Sequence, residues 1–388
     1  MPETPSVLTV LLNLGLGLFV VSGVLSVLDA VLGQFYETSI FTGLSAIVGL
    51  FCLLVSFLIY GLMALIPAIP KRWFLPMTLF IPLSNLAVIP LLIYFHPQLK
   101  WIALGVAICQ LLLGLWLLSR LKSGSKLSGP LPLLTTRHLG LAKFSGWHLM
   151  GFLLVNFCVL IPAVLVYLAL CASTAIDHFS DGFVRLSPAG IVMQVRKYRN
   201  DDGKEVQLVP MSHVGEATFY QALAASFPKN SVILMEGVTD HGKVLTSKSG
   251  YSRMAKAMGV AEQQVEFKPV GELVMADVDL SMFGKETLAL LHKAMLIHSE
   301  GMSAETLSSL MQPAPAHLEK QLWEDLLTKR NAHLLEVLYA RLPQSEVIIV
   351  PWGALHMPGI SEGIVKSGFR VEETQDYVAI RFPKLWPF

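Results

Sequence analysis

The segment 346–360, EVIIVPWGALHMPGI, begins with a short apolar run and ends with a glycine and a histidine. The run EVII predicts a buried strand, because about four to eight apolar residues bounded by turn signals are typical of one. Gly353 after this strand would allow the backbone to approach another group closely. His356 offers a ring nitrogen as a metal ligand or a proton carrier. The segment therefore predicts a functional residue at the end of a buried strand.

Two other predicted strands end in the same way. Residues 206–213, VQLVPMSH, lead to His213, and residues 232–236, VILME, lead to Glu236. In open α/β sheets, ligands bind beyond the carboxyl ends of the strands. Two histidines and a carboxylate at that edge predict a divalent metal ion (Zn, Mn or Co) with a coordination position open to water. The alternative interpretation is that each is a polar residue where a strand meets solvent.

A predicted helix over residues 316–340 carries Arg330 within an apolar face. A guanidinium on a core-facing stripe needs an anionic partner, because an unpaired buried charge is very costly. We therefore expect Arg330 to point towards the site, where it pairs with Glu236 or holds substrate. A structural ion pair, or a side chain that reaches solvent, is the alternative. The apolar stripe consists of Trp323, Leu326, Leu327, Leu334 and Val337.

The composition divides the chain in two. The whole sequence of 388 residues is 53% hydrophobic and 15% charged, which is too apolar for an ordinary soluble protein. Residues 1–171 hold only 8 of the 29 Lys and Arg and 3 of the 28 Asp and Glu, so they predict a membrane region. Residues 172–388 are slightly acidic and predict a domain without disulfides, because all four cysteines precede residue 172. This charge balance does not suggest nucleic acid as a partner.

Five apolar segments are each long enough for a hydrocarbon core of about 30 Å, which predicts the lipid bilayer as a partner. They are residues 7–32, 40–69, 73–95, 101–118 and 147–171. With five spans, the loops at 71–72 and 120–143 lie on one side and hold seven basic residues, against Lys100 alone on the other. Because basic loops stay in the cytoplasm, residues 172–388 are expected outside it, in a protein of the bacterial inner membrane.

In residues 172–388, predicted strands alternate with predicted helices. A hairpin is expected over residues 183–199, and helices are expected over 217–227, 249–258 and 285–297. This alternation favours an α/β domain with a partly parallel sheet.

Several segments in residues 206–360 resemble the TraB/PrgY, GumN and Tiki group of the erythromycin-esterase/ChaN-like superfamily. The most specific segment carries the Gly-x-x-His of the family at Gly353 to His356, after a strand. In a second Gly-x-x-His of the family, the glycine is replaced here by Pro210, while His213 is retained. The matching segments, in family order, are PMSHVGEATFYQAL, VILMEGVTD, GYSRMAKAMGVAEQ, MADVDLSMF, KRNAHLLEVL and VIIVPWGALHMPGI.

The resemblance implies a ChaN/Tiki-like α/β fold and several functions. Tiki-like members are membrane-anchored, metal-dependent peptidases that act outside the cell, and the esterase members hydrolyse a lactone. ChaN-like members bind haem, and PrgY-like members restrain a peptide pheromone. Glu236 matches the glutamate of the family, and Arg330 with Asn331 matches its Arg-Asn helix pattern.

The leading hypothesis is a membrane-anchored, metal-dependent hydrolase that acts outside the cytoplasm, is peptidase-like and takes a peptide or a small molecule as its substrate. A metal-bound water would be the nucleophile, and Glu236 or the nearby Glu216 would carry the proton. The alternatives are a non-catalytic module that binds a peptide or a haem-like ligand, and a channel or transporter regulated by the outer domain. The candidate residues are His213, Glu236 and His356 for the metal, Glu236, Arg330 and Glu216 for catalysis, and Gly353, Tyr251 and Asn331 for ligand contacts.

Overall fold

The computed structural model describes residues 6–36, 38, 40–123, 134, 139, 144–239, 241, 260–300 and 317–382. The chain divides into two compact units, residues 1–172 and residues 173–388. Tyr251 and the predicted helix over 249–258 lie outside the described residues, as does most of the basic loop over 120–143.

The first unit is helical. Its helices are α1 (Val7–Phe35), α2 (Thr42–Leu65), α3 (Lys71–Phe95), α4 (Leu99–Ser123), α5 (Gly146–Val155) and α6 (Ile161–Ser180), with a 3₁₀ turn at His96–Gln98 and a π turn at Asn156–Leu160. These helices have no distinct polar face: they are apolar on all sides, as helices in a bilayer are.

Four helical stretches in the described residues are long and apolar enough to cross a membrane. The third, Lys71–Leu121, has 51 residues, which is too long for one crossing at about 1.5 Å per residue. It holds α3 and α4, and the rings of Trp73 and Trp116 lie 6.2 Å apart. Since Trp73 is near the start of α3 and Trp116 near the end of α4, the two helices are antiparallel. The five predicted spans therefore fall on four stretches, the third of which holds two.

The second unit is a mixed α/β domain. Its strands are β1 (Val184–Ser187), β2 (Gly190–Arg199), β3 (Glu205–Met211), β4 (Val214–Gly215), β5 (Val232–Met235), β6 (Ala261–Glu262), β7 (Glu272–Met275), β8 (Val347–Gly353) and β9 (Arg370–Arg381). Its helices are α7 (Ala217–Ser226), α8 (Gln263–Glu266), α9 (Lys285–Glu300), α10 (Leu318–Trp323), α11 (Lys329–Arg341) and α12 (Met357–Lys366), with a π turn at Glu324–Thr328.

Seven of these strands form one sheet whose parallel part has the order β3-β8-β5-β7. The remainder is antiparallel: β9 pairs along the whole of β2, so β1 and β3 share the other edge of that strand. This confirms the predicted α/β domain with a partly parallel sheet. Strand β9 was not predicted.

Helices cover both faces of the sheet. Successive side chains of its central strands point to opposite sides, so each strand contributes to a core on either face. In β8, Ile348 and Val350 pack in a core with Leu334 of α11 and Ile360 of α12. Ile349 points the other way, into a core that includes α7. Strands β3, β5 and β8 are thus buried between two helical layers, as their apolar runs predicted, whereas β7 at the edge of the sheet is mostly exposed.

The π turn corrects the predicted helix over 316–340. A π turn holds more residues than an α turn and rotates the positions before it relative to those after it. Trp323, expected on the buried stripe, is 51% exposed, whereas Asp325 is 1% exposed. Asp325 accepts hydrogen bonds from Thr287 at 2.6 Å and Lys329 at 2.6 Å, which compensate its burial. The prediction of an uninterrupted apolar stripe was therefore wrong at Trp323.

Candidate functional site

The four parallel strands each lead to an ionisable side chain. His213 follows β3, Glu236 follows β5 and Asp277 follows β7. His356 ends the 3₁₀ turn after β8, which lies between β3 and β5. Because the carboxyl ends of parallel strands lie at the same edge of a sheet, the topology brings these residues to one region.

A cavity of about 630 Å³ opens at this edge. Its polar lining includes Ser212, His213, Glu236, Glu319, Arg330 and His356. Its apolar lining includes Leu322, Trp323, Leu326, Leu327 and Leu355. A concave site with an apolar wall and a few convergent polar groups has the features of a ligand-binding cavity.

Arg330 is the centre of the polar side of the cavity. Its Nε donates to Asp277 Oδ1 at 2.9 Å, and its Nη2 donates to Asp277 Oδ2 at 2.6 Å and to Glu236 Oε1 at 2.8 Å. Its Nη1 donates to His356 Nε2 at 3.1 Å and to the backbone oxygen of Leu326 at 3.4 Å. Pairing with Glu236 is one of the two roles expected of Arg330, and Asp277 is a further, bidentate partner.

These contacts use the whole hydrogen-bonding capacity of the guanidinium. An arginine side chain has five N–H donors, and each has an acceptor within the protein here. Burial opposes the charge, but the hydrogen bonds and charges of Asp277 and Glu236 hold the pKa of Arg330 above its usual value. In this arrangement Arg330 positions its neighbours, and it has no further N–H to offer a substrate.

His356 is held as a neutral ring. Its Nδ1 lies 2.7 Å from Asn331 Oδ1, an acceptor, so Nδ1 carries the proton and Nε2 accepts from Arg330. Its ring packs edge-on against Trp352, with ring centroids 5.1 Å apart. Burial, followed by the positive charge of Arg330, lowers the pKa of His356 from 6.5 to about 4.

Gly353 brings the backbone to Glu236, as expected, but without unusual backbone angles. Its N–H donates to Glu236 Oε2 at 2.6 Å. Its φ is −53°, which any residue can adopt. A Cβ at this position would lie 3.4 Å from Glu236 Oε2 and 3.6 Å from a carbon of His356, at ordinary contact distance. The absence of a side chain keeps the cavity open beside Glu236.

Asn331 reaches His356 because α11 and α12 pack closely. A Cβ on Gly359 of α12 would lie 2.6 Å from Asn331 Nδ2, so a larger residue there would displace the amide. Asn331 was predicted to contact a ligand, and its contact with His356 instead makes it a positioning residue for the ring.

Pro210, which replaces the motif glycine, is compatible with its place in β3. The pairing of β3 with β2 ends at Leu208, so Pro210 has only β8 beside it in the sheet. The N–H that proline lacks is therefore not needed for pairing with β2. Beyond it, the backbone oxygen of Ser212 accepts from Tyr220 at 2.8 Å, and that of His213 accepts from Gln263 at 3.0 Å. These bonds fix the backbone from which His213 reaches the cavity.

Two candidate residues do not join this cluster. Glu216 stands before α7, outside the residues that line the cavity, and its carboxylate pairs with Arg381 of β9. The backbone N–H of Arg381 also donates to Glu216 Oε1 at 2.9 Å. Glu216 therefore ties β9 to α7 and is not a proton carrier in this cavity. Tyr251 lies outside the described residues.

The side chains as they lie do not fit the expected metal ion. Among the residues that the structure describes, no group of three His, Cys, Asp or Glu side chains is placed to hold one. The guanidinium of Arg330 occupies the space between Glu236 Oε1 and His356 Nε2. A metal ion bound by both atoms would therefore have to displace the guanidinium from its carboxylate partners. The metal ion stays a prediction of the sequence.

Asp277 is the site residue that the sequence analysis missed. It lies in the segment MADVDLSMF, which was not assigned to the site. The available signal was the run Glu272–Met275 followed by Ala276 and Asp277, which repeats the pattern of β5 and Glu236. The backbone N–H of Gly237 donates to Asp277 Oδ2 at 3.0 Å, so Asp277 also fixes the loop after Glu236.

Comparisons of this chain with known protein families, with curated proteins and with solved structures give no match. The resemblance to the TraB and Tiki group thus rests on the sequence segments quoted above. A function for this chain has to be inferred from the geometry of the site.

Replacing Asp277 by alanine should destabilise the α/β unit by roughly 3–5 kcal/mol, because it leaves a buried guanidinium with Glu236 as its one carboxylate partner. Asp279→Ala is the matched control, since Asp279 bonds His241 and Thr239 at a more exposed position and its loss should cost less. Thermal unfolding of the full chain in detergent measures both. Equal losses in the two variants would contradict a central role for Asp277.

The low pKa of His356 predicts a specific loss of stability in acid. The unfolded ring binds a proton near pH 6.5 and the folded ring near pH 4. Stability from the neutral ring is therefore complete above pH 6.5 and is lost as the pH falls towards 4, by up to about 3 kcal/mol. We expect His356→Gln to reduce this pH dependence of Tm, and His333→Gln, at a half-buried position outside the cavity, to retain it. An unchanged dependence in His356→Gln would contradict the assignment.

Proposed function

We propose that this chain is a membrane-anchored hydrolase, peptidase-like in its chemistry, with its substrate in the cavity of the α/β unit. One observation carries the proposal: the ends of adjacent parallel strands deliver Glu236, His356 and His213 to a single cavity that also has an apolar wall. Buried charges are costly, and their concentration beside a cavity favours a functional role over a purely structural one. A fold of the ChaN/Tiki type and membership of the TraB and Tiki group are part of the same proposal.

Glu236 is the group best placed to act on a water molecule. Its side chain is 18% exposed, and its oxygens are fixed by Arg330 on one side and the N–H of Gly353 on the other. In the proposed reaction, Glu236 takes a proton from water while the water oxygen adds to the substrate carbonyl carbon. The bond from that carbon to the leaving nitrogen or oxygen then breaks, and the leaving group receives the proton from Glu236. His213, on the cavity lining, would contact the substrate carbonyl or leaving group.

A non-catalytic binding module is the second candidate, and one observation favours it. All five N–H groups of Arg330 are already bonded within the protein, so the guanidinium offers no donor to an oxygen that gains negative charge during hydrolysis. The same cavity would then hold a peptide or a haem-like ligand without cleaving it.

Turnover separates the two candidates. The full chain in detergent would be incubated with a mixed-sequence peptide library and with p-nitrophenyl acetate, and products would be followed by mass spectrometry and absorbance. We expect Glu236→Gln to lower the rate by at least about 100-fold, a typical contribution of a general base. Glu216→Gln, which alters a carboxylate outside the cavity, should keep the wild-type rate. Absence of turnover in the wild type, or equal rates in the two variants, would favour the binding module.

The proposal places the α/β unit outside the cytoplasm. The support is the excess of basic residues in the loops at 71–72 and 120–143 over the other loops of the membrane region. Fusion of a reporter active only outside the cytoplasm should give signal after Phe388 and none after Lys126. The opposite pattern would place the cavity in the cytoplasm and would contradict this part of the proposal.

A further inference from the structure

The three side chains around the Arg330 guanidinium form a set that proteins use to bind divalent cations. They are two carboxylates, Asp277 and Glu236, and one imidazole, His356. Carboxylate oxygen and imidazole nitrogen are common ligands of zinc and manganese. All three direct an acceptor atom at the guanidinium of Arg330, which is a cation of the chain itself.

The ring of His356 is oriented as a metal ligand would be. Metal-bound histidines generally donate one ring N–H to an oxygen acceptor and present the other nitrogen to the cation. Here Nδ1 lies 2.7 Å from Asn331 Oδ1, and Nε2 lies 3.1 Å from Nη1 of Arg330. Asn331 thus holds the ring in the way that an outer residue holds a metal ligand, with the guanidinium in the place of the ion.

The anchoring of Arg330 makes this position difficult to vacate. The side chain of Asp277 is 0% exposed and binds the guanidinium through both oxygens. The guanidinium also lies over the ring of Trp352, with Cζ 5.4 Å from the ring centroid. A metal ion that entered from the cavity would have to separate Arg330 from these groups or approach its positive charge.

We infer that Arg330 is the built-in cation of this site and that its guanidinium holds Asp277, Glu236 and His356 in the place of a divalent metal ion. The two carboxylates exceed the guanidinium by one negative charge, so a divalent ion could neutralise the pair once the arginine is removed. The intact protein therefore binds no divalent ion at these residues, and replacement of Arg330 by a neutral residue creates a site for one. This inference is independent of whether the cavity hydrolyses its ligand.

The test measures metal binding by the full chain in detergent. The protein is dialysed against a chelator and titrated with Mn²⁺ or Zn²⁺ by calorimetry, and the bound metal is then counted by elemental analysis. Wild type and His356→Ala should give the same result, because neither binds metal at this position. Arg330→Ala should gain one equivalent of metal, and Arg330→Ala combined with Glu236→Gln should lose it again.

Two further variants control for charge and folding. Arg330→Lys keeps a cation beside the carboxylates and should gain no metal. Arg330→Gln removes the charge but keeps polar atoms near Asp277, and it should gain metal as Arg330→Ala does. Circular dichroism shows which variants are folded. Should both neutral variants unfold, the comparison of wild type with His356→Ala still tests the claim that the intact protein binds no metal ion at these residues.

Two results would overturn the inference. One is an equivalent of metal in the wild type that His356→Ala lacks, which would mean that Arg330 moves aside for a metal ion. The other is a folded Arg330→Ala and a folded Arg330→Gln that bind no metal, which would mean that the three side chains are not arranged as ligands. Because these are counts of bound metal, they stay distinct from a failure to detect turnover in the Glu236→Gln experiment.

Discussion

Two carboxylates share one guanidinium at the carboxyl edge of the parallel sheet. Asp277 and Arg330 are almost fully removed from water, with 0% and 12% of their side chains exposed. Charges in such a place are tolerated only when their hydrogen-bonding groups are satisfied. The five donors of Arg330 meet this condition and connect the ends of β5 and β7 with α11 and His356. One side chain therefore links these elements in addition to their backbone pairing and their shared apolar core.

The order of the strands makes this edge dependent on contacts between residues far apart in sequence. Strand β8 is the last of the four parallel strands along the chain, yet it lies in the sheet between β3 and β5. Until β8 is in place, β3 and β5 lack the strand that lies between them and pairs with both. Trp352 and His356 are also absent from the site until then. Contacts between residues far apart in sequence are slow to form, because loop closure precedes any gain from pairing. The central part of the parallel sheet and the site thus both require the pairing of β8 with β3 and β5.

Sequence reasoning was sufficient where one physical rule dominated. Apolar runs identified β3, β5 and β8, and the cost of a buried charge identified the pairing of Arg330 with Glu236. It failed where the outcome depends on tertiary contacts. Strand β9 is mostly exposed and rich in charge, which suits the edge of a sheet but leaves no apolar run to detect. Strand β7 has only four residues and was not predicted, so Asp277 was not recognised as a residue at a strand end. The π turn that buries Asp325 leaves no periodic pattern in the sequence from which it could be predicted.

The saturation of Arg330 restricts how a ligand can be held in the cavity. Since the guanidinium has no further N–H, the groups that remain for a ligand are the apolar wall, acceptors such as Glu236, and the side chains of Ser212 and His213. Burial of apolar surface contributes about 25 cal/mol per Å², so the wall formed by Leu322, Leu326 and Leu355 favours a ligand with an apolar portion. The backbone oxygen of Leu326 also accepts from Arg330, which ties the wall to the ion network. A ligand that fits both parts carries an apolar portion and, beside it, a hydrogen-bond donor directed at Glu236.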